Sequence, residues 1–357
     1  MMMDMNGIIA KARRKVRAKV VALCRRRAFY PALYASWWHS LAYRGGESHS
    51  QEAYMTAVPN PGAGIGHQLA NWIAGLWFAE QFQLKHAHVS FPSLAWEKLL
   101  GFGDGATTAQ SLMDSCGYRK VLLPLFDELD KDELQRARAI VSSYSDEKVV
   151  FFLEQDQFYR DQWGVIKEIR DRFYGANARC YDKIVFDPGD FNIAIHVRRG
   201  DIVQGQVNKN VNLQIRWQST DYFHHILSSV LSELATDRQV KIYLFSQGNR
   251  EEFSNFDKLG DIEYCLDWDA EKSFLHMVYA DLLITSKSSF SYKPALLSRG
   301  IKVCPARFWH GYPQEEDWVL ADEDGSLGKE AVARLVESVR RTRSEAPCTP
   351  LRDTASK

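Results

Sequence analysis

The chain has 357 residues, 45% hydrophobic and 25% charged, a make-up suited to a globular protein of about two domains. Lys plus Arg and Asp plus Glu number 45 each, so overall charge gives no ground for a nucleic-acid binder. No stretch reaches the roughly 18–20 apolar residues of a spanning helix, and the basic start lacks a secretory signal's apolar stretch and cleavage site, so a reducing cytoplasm is the expected location.

Residues 8–28 carry nine Lys or Arg and no acid, and an aromatic run from Ala28 to Tyr43 follows. Basic residues followed by aromatics fit a helix lying in a membrane interface, so peripheral membrane contact is one reading of residues 8–43. A loose tail, or a helix packed on the main body, is the other. The six cysteines, Cys24, Cys116, Cys180, Cys265, Cys304 and Cys348, include no CxxC pair and are expected to be reduced and mostly buried, with no zinc site. Next comes Val58-Pro-Asn-Pro-Gly-Ala-Gly-Ile-Gly-His-Gln68, a Gly-rich turn opening an apolar helix over 69–82. Such a loop at a helix start offers free amides and a positive dipole end to an anion, but glycines there also serve turns alone.

His86–Phe91 reads as a strand, with His86 and His88 on one face; lacking a third ligand, the pair reads as a strand edge rather than a metal site. Residues 95–147 mix helical patterns with Gly-rich turns. Lys148–Leu153 is a short buried strand and 163–174 an amphipathic helix. Polar residues cluster over 175–189, where a domain boundary is expected.

The second half alternates more clearly. Strand 191–197 precedes helix 221–234; strand 240–245 ends in Ser246, Gln247 and Gly248, before a helix over 251–259. Strand 262–266, helix 270–280 and strand 281–284 follow. Thr285-Ser-Lys-Ser-Ser-Phe-Ser291 then leads to a helix with Pro294 in its first turn, and 301–303 is the last strand, before a basic helix over 329–343. This alternation predicts a parallel, doubly wound sheet.

Three strand ends carry polar residues: His196-Val-Arg-Arg-Gly-Asp201, Ser246–Arg250 and Thr285–Ser291. In a parallel sheet all three project from the carboxyl edge, where ligands of open α/β sheets bind. Arg offers a permanently charged fork that matches phosphate oxygens, and hydroxyls and amides at a helix N-terminus also hold phosphate. A surface turn with paired arginines, and serines acting as N-caps, are the purely structural alternatives.

The sequence resembles the α-1,2-fucosyltransferase family and its relatives, including the α-1,6-fucosyltransferases. The resemblance rests on Gly64-Ile-Gly-His-Gln-Leu69, on His196–Asp201 as an HxRRxD motif, on Tyr243-Leu-Phe-Ser246, and on the Ser-Ser-Phe-Ser of 288–291, in the family's order. His67 stands where that family has Asn, and Tyr292-Lys-Pro294 where it has Trp-Trp. The resemblance implies a GT-B fold, two Rossmann-like doubly wound α/β domains facing a cleft. Residues 51–185 would form the acceptor-side domain and 186–345 the nucleotide-sugar domain, flanked by segment 1–50 and a polar tail, 346–357. It further implies GDP-fucose as donor, a glycan acceptor, inversion, and neither cofactor nor metal. By similarity Arg198 takes the β-phosphate, Arg199 braces the strand end or assists, and His196 contacts the nucleotide. Ser246, Ser288, Ser289 and Ser291 complete the donor side. Gly64, Gly66, His67 and Gln68 line the acceptor side. Asp201 is a candidate for the base that deprotonates the acceptor, or an orienter of an arginine. Another nucleotide-sugar donor, or a catalytically silent nucleotide- or carbohydrate-binding protein, are the alternatives.

Overall fold

The computed structural model describes residues 53–344 except 143, 145, 146, 155, 156, 158, 201 and 204–210, together with 16, 19, 20, 23, 24 and 27–30. Most of residues 8–43, where membrane contact was one expectation, and Asp201, lie outside the described residues. In chain order the elements are β1 (Tyr54–Thr56), α1 (Ile65–Gln81), β2 (Lys85–His86), α2 (Leu94–Leu100), α3 (Ala109–Ser115), β3 (Arg119–Leu122), α4 (Lys131–Ser142), β4 (Val149–Phe152) and α5 (Ile166–Gly175). There follow β5 (Phe191–His196), α6 (Thr220–Glu233), β6 (Val240–Ser246), β7 (Ile262–Leu266), α7 (Ala270–Tyr279), β8 (Leu282–Ile284), α8 (Ser289–Leu297), β9 (Ile301–Pro305), β10 (Trp318–Ala321) and α9 (Lys329–Ser344).

Contacts divide the chain into two units. The first comprises Met1–Gly62, Gln68–Pro92 and Gly105–Tyr159; the second comprises Ala63–His67, Ser93–Asp104 and Arg160–Lys357. The boundary expected near 185 thus falls at 159–160. The reason is the packing of 160–185 within the second unit: Arg170 Nε donates to Leu296 O at 2.8 Å and Tyr174 OH to Leu297 O at 3.2 Å, both at the end of α8.

The first unit is built on a parallel sheet ordered β2-β1-β4-β3. All four residues of β4, Val-Val-Phe-Phe, are buried, as an unbroken apolar run between parallel neighbours requires. The strand expected over 86–91 is only Lys85–His86; beyond it His88 makes an isolated bridge to Thr108. The His88 ring is buried and its Nδ1 accepts from Trp72 Nε1 at 3.2 Å, a structural use of the imidazole.

The second unit carries a six-stranded parallel sheet ordered β10-β9-β8-β5-β6-β7. Counting from β5 as strand one, this reads 6-5-4-1-2-3, the doubly wound dinucleotide-binding order seen from its other edge. The expected α/β class with Rossmann-like winding is therefore present. β5 is buried along its whole length; its alternating apolar residues pack with Phe223, Ile226, Leu227 and Val230 of α6. Two local expectations differ. Residues 250–258 form a 3-10 helix, not an α-helix; Asn249 supplies no side-chain cap, and Leu259 N closes on Phe256 O three residues back at 2.8 Å. Pro294 lies inside α8 rather than in its first turn, because Ser288 caps the helix and starts it at Ser289. Cysteine burial is also mixed: Cys265 and Cys304 are buried, whereas Cys116 and Cys180 are exposed.

Candidate functional site

Strand order locates the site. Between β5 and β8 the connections depart in opposite senses, so this is the switch point at which a crevice opens beyond the carboxyl ends of the strands. The pair runs in register from Ile193 and Leu282 to Ile195 and Ile284, so the residues after each strand emerge side by side. His196, Val197 and Arg198 come from one strand, and Thr285 to Ser288 from the other.

These residues meet. His196 Nδ1 lies 2.8 Å from Ser286 Oγ, and Arg198 Nη1 donates to Ser288 Oγ at 2.9 Å. Ser288 is the N-cap of α8, its hydroxyl also accepting from Phe290 N at 3.2 Å. A guanidinium is therefore held at the positive end of a helix, an arrangement that concentrates charge for an anion. The His196 ring lies 5.4 Å from the Phe290 ring. Burial, then the charges of Arg198 and Arg199, lowers the His196 pKa to about 3, so the imidazole is neutral at physiological pH.

Arg199 has a different task. Its Nη1 donates to the carbonyls of Arg198 at 3.0 Å and Gln218 at 3.1 Å, and its guanidinium lies 4.3 Å from the centre of the Trp217 ring. It is buried, and burial lowers its pKa. Of the two roles the sequence offers it, bracing of the strand end is the one these contacts serve. Gly200 follows at φ +64°, in the left-handed region that favours glycine. Ser246 Oγ donates to Val197 O at 2.7 Å, stapling the end of β6 to that of β5.

The three serines of 288–291 are not equivalent. Ser291 is fully buried; its Oγ accepts from Ser286 N at 3.2 Å and reaches the carbonyls of Ser286 and Ser288. It shapes the turn. Ser288 holds Arg198 and caps the helix. Ser289 is half-buried and follows directly, in the first turn of α8. Sequence reasoning overlooked Gln218: its carbonyl accepts from Arg199 and its Oε1 accepts from Lys287 N at 2.7 Å, tying the loop before α6 to the loop before α8. A glutamine in a polar loop gives no local signal of such a role.

The Gly-rich turn reaches the same helix. A Cβ on Gly66 would lie 2.7 Å from Ser289 C and 2.8 Å from Ser289 O, so the start of α1 packs directly on the first peptide of α8. Gly64 is open, with nothing within 4 Å of a Cβ built on it, and its carbonyl accepts from His67 N at 3.0 Å. His67 is exposed; Gln68, the next residue of α1, is buried and belongs to the first unit. Of the residues singled out in the sequence, His196, Arg198, Arg199, Ser246, Ser288, Ser289, Ser291 and Gly66 thus surround the end of β5 and the start of α8.

The chain therefore contains a doubly wound α/β unit with a cationic rim at its switch point. No family model matches the chain, and no curated protein matches it in sequence. Among solved structures it is similar to POFUT1 in complex with GDP, at 11% identity and a TM-score of 0.44, over 73% of this chain and 100% of that one. It is also similar to a mutant of Arabidopsis thaliana FUT1 in complex with GDP, at 11% identity and 0.41, over 85% and 80% of the two chains. A third is the fucosyltransferase NodZ from Bradyrhizobium, at 11% and 0.39, over 70% and 94%.

Proposed function

We propose that the protein is a glycosyltransferase that moves fucose from GDP-fucose to a glycan hydroxyl with inversion. The observation that carries this reading is the bond from Arg198, of the HxRRxD motif, to the N-cap of α8 across the sheet's switch point. It supplies a fixed cation and oriented amides where a diphosphate leaving group would sit. The acceptor oxygen attacks the anomeric carbon as the bond from that carbon to the β-phosphate oxygen breaks; the electron pair leaves with GDP, and the hydroxyl proton passes to a base, the role for which the sequence offers Asp201. Arg198, Ser289 and the first amides of α8 take up the growing negative charge, in place of a metal ion. Arg199, Ser246, Ser288, Ser291 and Gln218 hold that constellation rigid. His196, neutral, packs at its inner wall.

The test is incubation with GDP-fucose and a mixed glycan panel, reading a deoxyhexose mass addition, beside thermal shifts with GDP, UDP and GDP-mannose. The expected outcome is transfer, with GDP stabilising more than UDP. Arg198→Ala should lower kcat by about 10²–10³-fold, as removal of one fixed donor to a developing anion does. Stronger stabilisation by UDP would mark another donor. GDP binding without transfer to any acceptor would mark a silent binding protein, and unchanged turnover in Arg198→Ala would sink the assignment.

A further inference from the structure

Beside the rim, the carboxyl ends of β9 and β10 hold an open basin of about 390 Å³, lined by Ala306, Arg307, Asp322, Glu323, Asp324 and Ser326. It lies wholly within the second unit. β9 is the sheet neighbour of β8, so the basin begins one strand away from the loop that carries Ser286 and Ser288. Lys287 of that loop donates to Glu323 Oε2 at 2.6 Å. One wall is a hydrogen-bonded turn: Asp322 N donates to Ser326 O at 2.9 Å and Gly325 N to Asp322 O at 3.0 Å. Asp324 Oδ1 accepts from Ser326 N at 2.9 Å and from Ser326 Oγ at 2.7 Å, and His225 Nδ1 of α6 donates to Asp324 O at 2.9 Å. Two groups in the lining are unspent. Among the described residues, neither the Arg307 guanidinium nor the Asp322 carboxylate has an ion-pair or hydrogen-bond partner, although both line the same basin. Two residues beyond Arg307, Trp309 is 37% exposed, with the Arg216 guanidinium 4.8 Å from the centre of its ring.

We propose that this basin is a subsite for the glycan acceptor, holding a neutral pyranose unit next to the one that receives fucose. The purpose rests on the fucosyl-transfer reading; the binding itself does not. A sugar ring presents neighbouring hydroxyls that both donate and accept, so one can accept from Arg307 while another donates to Asp322. Its apolar C–H face suits an exposed indole. Other occupants use the lining less well. A free anion would meet three carboxylates. A metal ion would meet Arg307, and among the described residues no group of three or more His, Cys, Asp or Glu is placed to hold one. A nucleobase needs apolar walls against its flat faces, and among the described lining residues only Ala306 is apolar.

Retention of the full chain on an array of neutral oligosaccharides of hexoses and N-acetylhexosamines tests it, with no donor present, beside thermal shifts with GDP. The parent should be retained. Arg307→Ala and Asp322→Asn should each bind the retained sugars about tenfold more weakly, and Trp309→Ala on the order of fivefold more weakly. GDP should raise the melting temperature of the parent and of every variant equally. If Asp322→Asn lowers the melting temperature, Arg307→Ala carries the test, because that guanidinium holds nothing else in the fold. No retention of the parent on any sugar, or variants retained as well as the parent, would overturn the inference. So would binding of spermidine in place of the sugars, which would make the basin a cation site. A GDP shift lost in Arg307→Ala would overturn it too, by giving the basin to the donor's base. Sugar retention that the variants lose, in a protein that transfers no fucose, would uphold the subsite and defeat only the assigned reaction.

Discussion

A buried imidazole beside two guanidiniums cannot afford a proton. His196 sits at the end of β5, bonded to Ser286 Oγ, with Arg198 and Arg199 next in the chain. Burial first, and those two cations second, lower its pKa from 6.5 to about 3. His310, whose Nδ1 donates to Arg160 O at 2.8 Å, is lowered to about 3 as well, by burial and then by Lys293. The unfolded chain protonates both rings near 6.5, the folded one only near 3. The stability tied to these rings is therefore complete above about pH 6.5 and is lost as pH falls toward 3, at up to about 1.4 kcal/mol per pH unit for each ring. Denaturant midpoints measured from about pH 7 down to about pH 4 should fall steeply for the parent protein. The fall should be shallower for His196→Phe, which keeps the contact with the Phe290 ring but cannot take up a proton. Parallel curves for the two proteins would show that His196 is not held neutral by its surroundings.

At the scale of elements, the site depends on how closely α1 approaches α8. The first peptide of α8 lies against Gly66 with no room for a Cβ, whereas Gly64, two residues earlier, has open space. Gly66→Ala should therefore push the start of α1 off Ser289, costing about 1–3 kcal/mol of stability as over-packing does, and weakening GDP binding with it. Gly64→Ala should be tolerated in both respects. Thermal unfolding and GDP titration of the two variants check this, and equal behaviour of the pair would refute it. The glycines themselves stood out in the sequence, but which one is sterically required did not, because the atoms it would strike lie more than two hundred residues along the chain. Much else at this scale was legible. β5 and β8 are apolar runs, and β6 is one after Lys241; all three end abruptly in polar residues, and strand order then converts those endings into one edge. β3 and β10 were not legible. Arg119 and Lys120 take up half of β3, and Trp318–Ala321 is only four residues long and follows a stretch of aromatic and acidic residues. The start of α8 was misplaced for a related reason: proline disfavours helix interiors, yet Pro294 is tolerated in this one.

For the whole molecule, the sequence reading divided the chain at the polar residues near 185, and the physical division is not contiguous. The second unit needs parts from three stretches. Asp161 O accepts from Tyr292 OH at 2.8 Å, and Lys293 Nζ donates to Gln162 Oε1. Arg172 Nη1 donates to Phe102 O at 3.1 Å, and Trp96 packs edge-on to Phe274 with ring centres 5.3 Å apart. Composition shows none of this, since such ties join residues of ordinary type across long separations. A fragment of residues 186–344, cut at the compositional boundary, would keep all six strands of the second sheet but lose α5, α2 and the 160–162 strand of contacts against α8. Its Lys293 amine would lose Gln162, and the apolar end of α8 would face water. The fragment should therefore show far-ultraviolet dichroism of an α/β protein but bind a hydrophobic dye, unfold without a sharp transition and fail to bind GDP, as compact states without fixed packing do. Adding back 160–185 should restore part of the cooperativity, because it returns the hydrogen bonds from Arg170 and Tyr174 to Leu296 and Leu297. If the shorter fragment instead melted as cooperatively as the full chain and bound GDP equally well, the segments before 186 would be accessories, and the helix that carries Ser288 and Ser289 would be set in place by the sheet alone.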